Sequence, residues 1–329
     1  MGSHAGIGWR RARVVYRAAN RFTHHLLGTV LTGLLVLYFI FCTTVIGLRY
    51  LVLPNIDRYK PDVEQMASKA LARAVTVGTI HASWHGLNPH LVLNNVVVHN
   101  RSGEPALSLP QVAATLSWKS LVVADLRLDM LQIDRPDLEV ERTADGRLYV
   151  GGVLVEPKAH DDGKGLDWLL SQRQVVVRNG WVRWRDAQRG APELKLEKVD
   201  FLLQNQWRHH RFALKATPPA ELGAPLDIRA DFSHPSFAGR ISDVKRWTGT
   251  VYADWRDTDL ALWRAYIDYP VEIQRGTGAV RAWLDFDQAR VASFTADLSL
   301  SGLWTRLAPD LEPLALKQAN GRVAASEVL

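Results

Sequence analysis

Between Leu26 and Leu48 the chain runs LLGTVLTGLLVLYFIFCTTVIGL without a charged side chain. Wound as a helix, about 23 residues rise roughly 35 Å, more than the ~30 Å of a bilayer's hydrocarbon core. A core helix of a soluble domain rarely needs so long an uncharged run. A cleaved signal peptide would have an apolar region of about 7–15 residues ending in small residues. This run is longer and is followed by Arg49, Tyr50 and Leu51. The sequence therefore predicts an uncleaved transmembrane helix over residues 26–48.

Charge orients it. Residues 1–25 carry Arg10, Arg11, Arg13, Arg17 and Arg21 and no acid, whereas the far flank mixes Arg49, Asp57, Arg58, Lys60, Asp62 and Glu64. By the positive-inside rule, residues 1–25 are a basic cytoplasmic arm and everything after the span is exported. The net charge of +6 and pI near 9.5 are owed largely to that arm, so they do not point to nucleic acid. The single cysteine, Cys42, lies inside the span, so the exported part has no disulfide and must be held by packing and strand ladders.

Leu53-Pro54-Asn55 is expected to stop the helix. Within a linker at residues 49–74, Ile56, Tyr59, Val63, Met66, Ala67, Ala70 and Leu71 then recur at three- and four-residue spacing. That spacing predicts a short amphipathic helix from about Pro61. Its stripe can lie on a membrane surface or plug one end of the next domain, and a polar face poor in Lys and Arg favours the plug.

From Val75 the apolar period becomes two, as in Asp137–Glu141, Glu193–Glu197, Arg211–Lys215, Leu226–Phe232, Val280–Phe286 and Phe294–Leu300. Such segments are strands with one dry and one wet face. Turn signals at Arg101-Ser102-Gly103, Ala144-Asp145-Gly146, Gln188-Arg189-Gly190 and Gln274-Arg275-Gly276 separate them. Only two further segments look helical, one around Trp168 and one from Asp259 to Tyr266, too few for βαβ units. The expected fold is mainly β: a long curved antiparallel sheet over residues 75–329, with roughly 14 strands spanning near 65 Å. Its apolar face needs a cover, which can be a second sheet, barrel closure or an apolar ligand. The alternation runs to Val328-Leu329 without a closing signal, so the chain is expected to be the front part of a longer protein.

The basic arm, the span and Ile56-Asp57-Arg58-Tyr59-Lys60-Pro61 together resemble the start of the YhdP group of AsmA-like proteins, relatives of TamB. RPDLEVERTADGRLYVGGV (Arg135–Val153), VRNGWVRWRDAQRGAPE (Val177–Glu193) and GTGAVRAWLDFDQARVASFTADLSLSG (Gly276–Gly302) extend the resemblance over most of residues 26–302. It implies a bacterial inner-membrane, single-pass protein with a taco-like periplasmic sheet. Its open hydrophobic groove would pass phospholipid acyl chains toward the outer membrane. Each CH₂ kept from water is worth about 0.8 kcal/mol, so a dry trough is a physical requirement for such passage. The groove residues expected on this basis are Leu126, Leu128, Leu138, Val140, Val182, Trp184, Leu194, Leu196, Phe201, Phe212, Leu214, Ile228, Phe232, Leu284, Phe286 and Phe294. The expected partners are membrane phospholipid and, in an assembly role, periplasmic or outer-membrane proteins. Exposed edges of the sheet would suit β-barrel clients.

No catalytic constellation stands out: there is no P-loop, G-x-S-x-G or G-x-G-x-x-G. His81, His85 and His90 fall in strand-patterned sequence, where a four-residue spacing does not make a ligand pair. His24-His25, His209-His210 and Asp161-Asp162 read as exposed polar pairs. Trp84, Trp118, Trp181, Trp207, Trp247, Trp255, Trp283 and Trp304 suit rims where ring and N–H meet different solvents. The chain is expected to be no enzyme and to need no cofactor, metal or nucleic acid.

Overall fold

The computed structural model describes residues 5–100, 103–151, 153–155, 164–235, 240–269, 271–288, 290–308 and 310–326, with side chains from residue 26 onward except at 121, 153–155 and 164. His24-His25 and Asp161-Asp162 therefore lie outside the described side chains. The chain forms two units, Met1–Ile56 and Asp57–Leu329.

The first unit is dominated by α1 (Ala5–Gly47). One helix thus runs through both the basic arm and the apolar run. From Leu26 to Phe41 its side chains are exposed on every side, and the helix is long and apolar enough to cross a membrane. An all-round apolar surface left uncovered by protein suits hydrocarbon. The expected stop at Leu53-Pro54-Asn55 is instead a kink: a π turn (Leu48–Val52) and a 3₁₀ turn (Leu53–Tyr59) follow, and Asn55 leaves helical geometry at φ −113°, ψ 30°. Pro54 cannot donate its backbone N–H, which breaks the ladder.

The second unit opens with α2 (Lys60–Leu71), which carries Pro61 in its first turn and ends on Ala72 in the left-handed region, φ 53°. Fifteen strands follow in one sheet: β1 (Val75–His85), β2 (Asn88–His99), β3 (Pro105–Leu116), β4 (Leu128–Asp134), β5 (Asp137–Arg142), β6 (Leu148–Val150), β7 (Val153–Val155), β8 (Gln174–Asp186), β9 (Ala191–Gln206), β10 (His209–Thr217), β11 (Leu226–Ser233), β12 (Thr248–Asp259), β13 (Glu272–Asp287), β14 (Arg290–Arg306) and β15 (Leu314–Ser326). Three short helices interrupt them: α3 (Lys119–Val123), α4 (Lys164–Ser171) and α5 (Leu260–Trp263). The sequence pointed to α4 and α5. It missed α3, too short to show a period, and the 3₁₀ turn Val244–Arg246.

The spatial order is β1-β2-β3-β4-β8-β9-β10-β11-β12-β13-β14-β15, with β5, β6 and β7 on a side branch. The main path therefore has twelve strands and spans about 50 Å at the usual strand spacing, shorter than the sequence suggested. Pairing is antiparallel except that β4 and β5 both run parallel to β8, where a fully antiparallel sheet was expected. The chain leaves β4 at Arg135 (φ 51°) and Pro136, makes the β5–β7 excursion and returns through α4. As a result β4 and β5 lie end to end along one long β8. Gln274-Arg275-Gly276, expected as a turn, lies inside β13, where the β14 register shifts around Arg275. It is a bulge rather than a reversal.

The β1 edge is closed by α2. The Val77 N–H donates to Glu64 Oε1 at 2.7 Å, the Val75 N–H donates to Ser68 Oγ at 2.9 Å, and Lys60 Nζ donates to the Gly78 carbonyl at 2.9 Å. Helix side chains thus satisfy backbone groups that an edge strand would otherwise offer to another chain.

Candidate functional site: the dry face of the sheet

Register carries one apolar row across all twelve strands: Ile80, Leu93, Val112, Ile133, Val177, Phe201, Leu214, Ile228, Ala253, Ala282, Ala296 and Val323. A second row two residues along is also apolar throughout: Ala82, Leu91, Ala114, Leu131, Val175, Leu203, Phe212, Ala230, Val251, Leu284, Phe294 and Ala325. Directly opposed residues share a face, so both rows lie on one side.

The other side is wet over its second half. Asp200, Lys215, Asp227, Asp254, Arg281, Asp297 and Arg322 form one charged row. Pairs such as Arg211–Asp231 at 3.0 Å, Arg229–Asp227 at 2.9 Å and Arg322–Asp297 at 2.6 Å lie along it. They are exposed, so they keep this face in water more than they stabilise the fold.

Strict alternation could not keep the dry side dry along strands this long, because several strands skip a residue midway. The left-handed residues Asn179 in β8, Lys198 in β9 and Asp257 in β12 have φ near 50°, and the register breaks beside Asn179 and Asp257. At Lys198 the buried positions step from Leu194 to Val199 and Leu203. Leu194 packs on Leu226 and Trp263 while Leu203 packs on Trp247, so both halves of β9 serve one face. Each bulge costs a residue of pairing and adds bend and twist.

Three protein clusters cover parts of this face, one of them Leu260 of α5 with Ile273 and Leu300, against which Val280 and Leu298 pack. Leu170 of α4 and Trp247 pack on Val175 and Leu203, with Phe201, Phe212 and Phe232 against them. At the opposite margin Leu222 and Trp263 pack on Leu194 and Leu226, with Trp184, Leu196 and Trp255 against them. Between these clusters Leu214, Ile228, Val251 and Leu284 belong to none of them and remain partly exposed.

The expected groove residues distribute accordingly. Phe201, Phe212, Leu214, Ile228, Leu284 and Phe294 lie in the two rows. Phe232 and Phe286 extend them, flanking Gly249 in register with ring centroids 6.1 Å apart. A Cβ at Gly249 would overlap the Asp231 carbonyl, so this strand position has room for no side chain. Leu138 with Val182 and Leu196, and Val140 with Trp184 and Leu194, form two further rows beyond the bulges. Leu128 is buried where β4 meets Leu116. Leu126 stands apart from the strands: it lines a cavity of about 1070 Å³ between α2, α3 and α4, and its carbonyl accepts the Trp168 Nε1–H at 2.8 Å.

Sequence reasoning missed Ile80, Leu93, Val112, Ile133 and Val177 of the first row. The strands of Leu93, Val112 and Val177 are apolar on both sides, with Val92, Ala113 and Val176 on the other face, which hides a period of two. It also passed over Ala253, whose small side chain carries little signal, and kept Ala282 and Ala296 as alternating strand positions without assigning them to the groove.

His209-His210 departs from the exposed pair expected of it. His210 is fully buried, stacked on Trp247 at 4.5 Å and on His234 at 5.2 Å. Asn205 Nδ2 donates to the Gln172 carbonyl at 2.6 Å, which leaves Asn205 Oδ1 to accept the His210 Nδ1–H at 2.6 Å. Burial, with His234 nearby, pushes the imidazole pKa down to about 4, so the ring is neutral near pH 7. His90 accepts or donates at Thr115 Oγ1, 2.9 Å away, and no group of three metal-ligating side chains occurs among the described residues.

A family model described as YhdP protein matches residues 15–327. The chain belongs to the YhdP family. The match runs from the second half of the basic arm through the apolar helix and the sheet to β15, so the family pattern reaches into both units. The YhdP assignment places the chain among AsmA-like proteins associated with lipid transport or envelope assembly. Comparison with curated proteins and with solved structures finds no match.

Proposed function

We propose that this YhdP-family chain conducts phospholipid along the dry face of its sheet, held at the bacterial inner membrane by α1. Its arm would be cytoplasmic and its sheet periplasmic, facing the outer membrane. The observation that carries the reading is the apolar row from Ile80 to Val323, unbroken by a polar side chain across twelve strands. A soluble domain has no use for a partly exposed apolar stripe of this length, whereas acyl chains need one. A charged row one residue away gives the opposite face to water, so a lipid has one surface to follow. Chain tails slide along such a stripe at little cost, because each CH₂ leaves one apolar contact as it makes the next.

Photo-crosslinking residues placed one at a time in the full chain, in cells, test this. Probes at Phe212, Ile228 and Phe286 should capture phospholipid. Probes at their sequence neighbours Arg211, Arg229 and Asp285, on the other face, should not. Equal capture from both faces, or from neither, would sink the proposal.

The alternative, an assembly role acting on β-barrel clients, draws on β15, whose outer edge has no strand partner among the described residues. Capture of an unfolded barrel protein by probes along Leu314–Ser326, with no lipid at Ile228, would favour it.

A further inference from the structure

At one margin of the sheet β1, β3, β9, β11 and β13 end and β2, β4, β8, β10, β12 and β14 begin, because neighbouring strands alternate in direction. The loops there hold Arg173, Lys245, Arg246 and Arg290, all exposed and none in an ion pair among the described residues. The opposite margin differs: Arg142 meets Asp186, Arg147 meets Asp145 at 2.9 Å, and Arg189 meets Asp268. Glu221 and Glu272 add negative charge on that side. The sheet therefore has one cationic margin and one neutral-to-acidic margin, with the apolar rows between.

The cations gather where the dry face has a cavity. Phe212, Phe232, Val244, Trp247 and Phe286 line about 360 Å³ of largely apolar space. The 3₁₀ turn Val244–Arg246 supplies both the wall and the charge: Val244 and Trp247 face the cavity, while Lys245 and Arg246 between them are exposed. An apolar pocket with two unpaired cations beside it fits a molecule with a hydrocarbon tail and an attached phosphate.

We propose that Lys245 and Arg246 form a phosphate site for a phospholipid head group, whose acyl chain enters the Phe212–Phe232–Phe286 cavity. The inference rests on the lipid reading above and deepens it by fixing which way the lipid faces. Head groups would follow the cationic margin while tails lie on the floor. Charge-assisted contacts to phosphate are stronger than neutral hydrogen bonds, and each exposed cation adds a modest increment, so the preference should be several-fold rather than absolute.

The test uses the full chain in detergent, exposed in turn to phosphatidylglycerol and to diacylglycerol of the same acyl chains, with retained lipid counted by mass spectrometry. The wild type should retain phosphatidylglycerol about five- to tenfold better. The K245E/R246E variant should lose that preference and keep its diacylglycerol binding; K245Q/R246Q should lose part of it; R147E, at the other margin, should be unchanged. Excess inorganic phosphate should compete only weakly, since it lacks the tail; full displacement by it would show a free-anion site and overturn the lipid assignment. Equal retention of the two lipids by the wild type, or an unchanged preference in K245E/R246E, would overturn the head-group site alone. Retention of neither lipid would overturn it together with the conduction reading.

Discussion

At the scale of single residues, His210 shows how the fold sets chemistry that sequence context does not suggest. Its neighbours Arg208, His209 and Arg211 are polar, yet register turns the ring into the cluster under α4, against Trp247. Its folded pKa, about 4, lies below the ordinary 6.5. The unfolded chain then binds the extra proton first, so this contribution to stability is complete above about pH 6.5 and is lost as pH falls toward 4. The slope is at most about 1.4 kcal/mol per pH unit. Denaturant titrations across that window should show the loss in the wild type, and His210→Gln should flatten it. Parallel pH profiles for the two proteins would refute the assignment.

At the scale of elements, two devices let a long sheet stay open without sticking to its neighbours. Left-handed residues such as Asn179 and Lys198 switch the side-chain phase, so each strand bends while its apolar residues stay on one face. The other device is α2, whose Glu64 and Ser68 accept from the backbone of β1. Removing both acceptors leaves two edge N–H groups without partners, each worth about 1–2 kcal/mol if water does not replace the bond. The Glu64→Ala/Ser68→Ala variant should therefore exchange the Val75 and Val77 amides faster by at least about tenfold, with the amides of β10 unchanged, as hydrogen exchange would report. Unchanged exchange at Val75 and Val77 would show that α2 merely lies alongside.

At the scale of the whole molecule, the sheet divides its dry face into covered margins and a partly exposed floor. A charge placed on the floor should interrupt lipid without unfolding the protein, because Ile228 lies outside the packed clusters. Ile228→Glu should cut the phospholipid that copurifies with the full chain by about tenfold or more, since a carboxylate among acyl chains is costly. Ser299→Glu, on the opposite face, should leave it unchanged, and circular dichroism should match for both. Equal lipid in the two variants would contradict a continuous floor.

The sequence alone determined the helix long and apolar enough to span a membrane, the change of period after Val75 and most of the later dry positions. Those are local properties: an uncharged run needs no partner to be recognised, and a strand with one wet face shows its alternation in Arg211–Lys215 or Leu226–Phe232. Tertiary structure decided the rest. Ile133 and Val177 become part of the floor only when β4 meets β8 in parallel, a pairing made possible by the β5–β7 excursion. Gly276 is a bulge rather than a turn because β14 continues alongside it, and His210 is buried because Trp247 and His234 stack on it. Register and cover are relations between distant segments, so no window of the chain contains them.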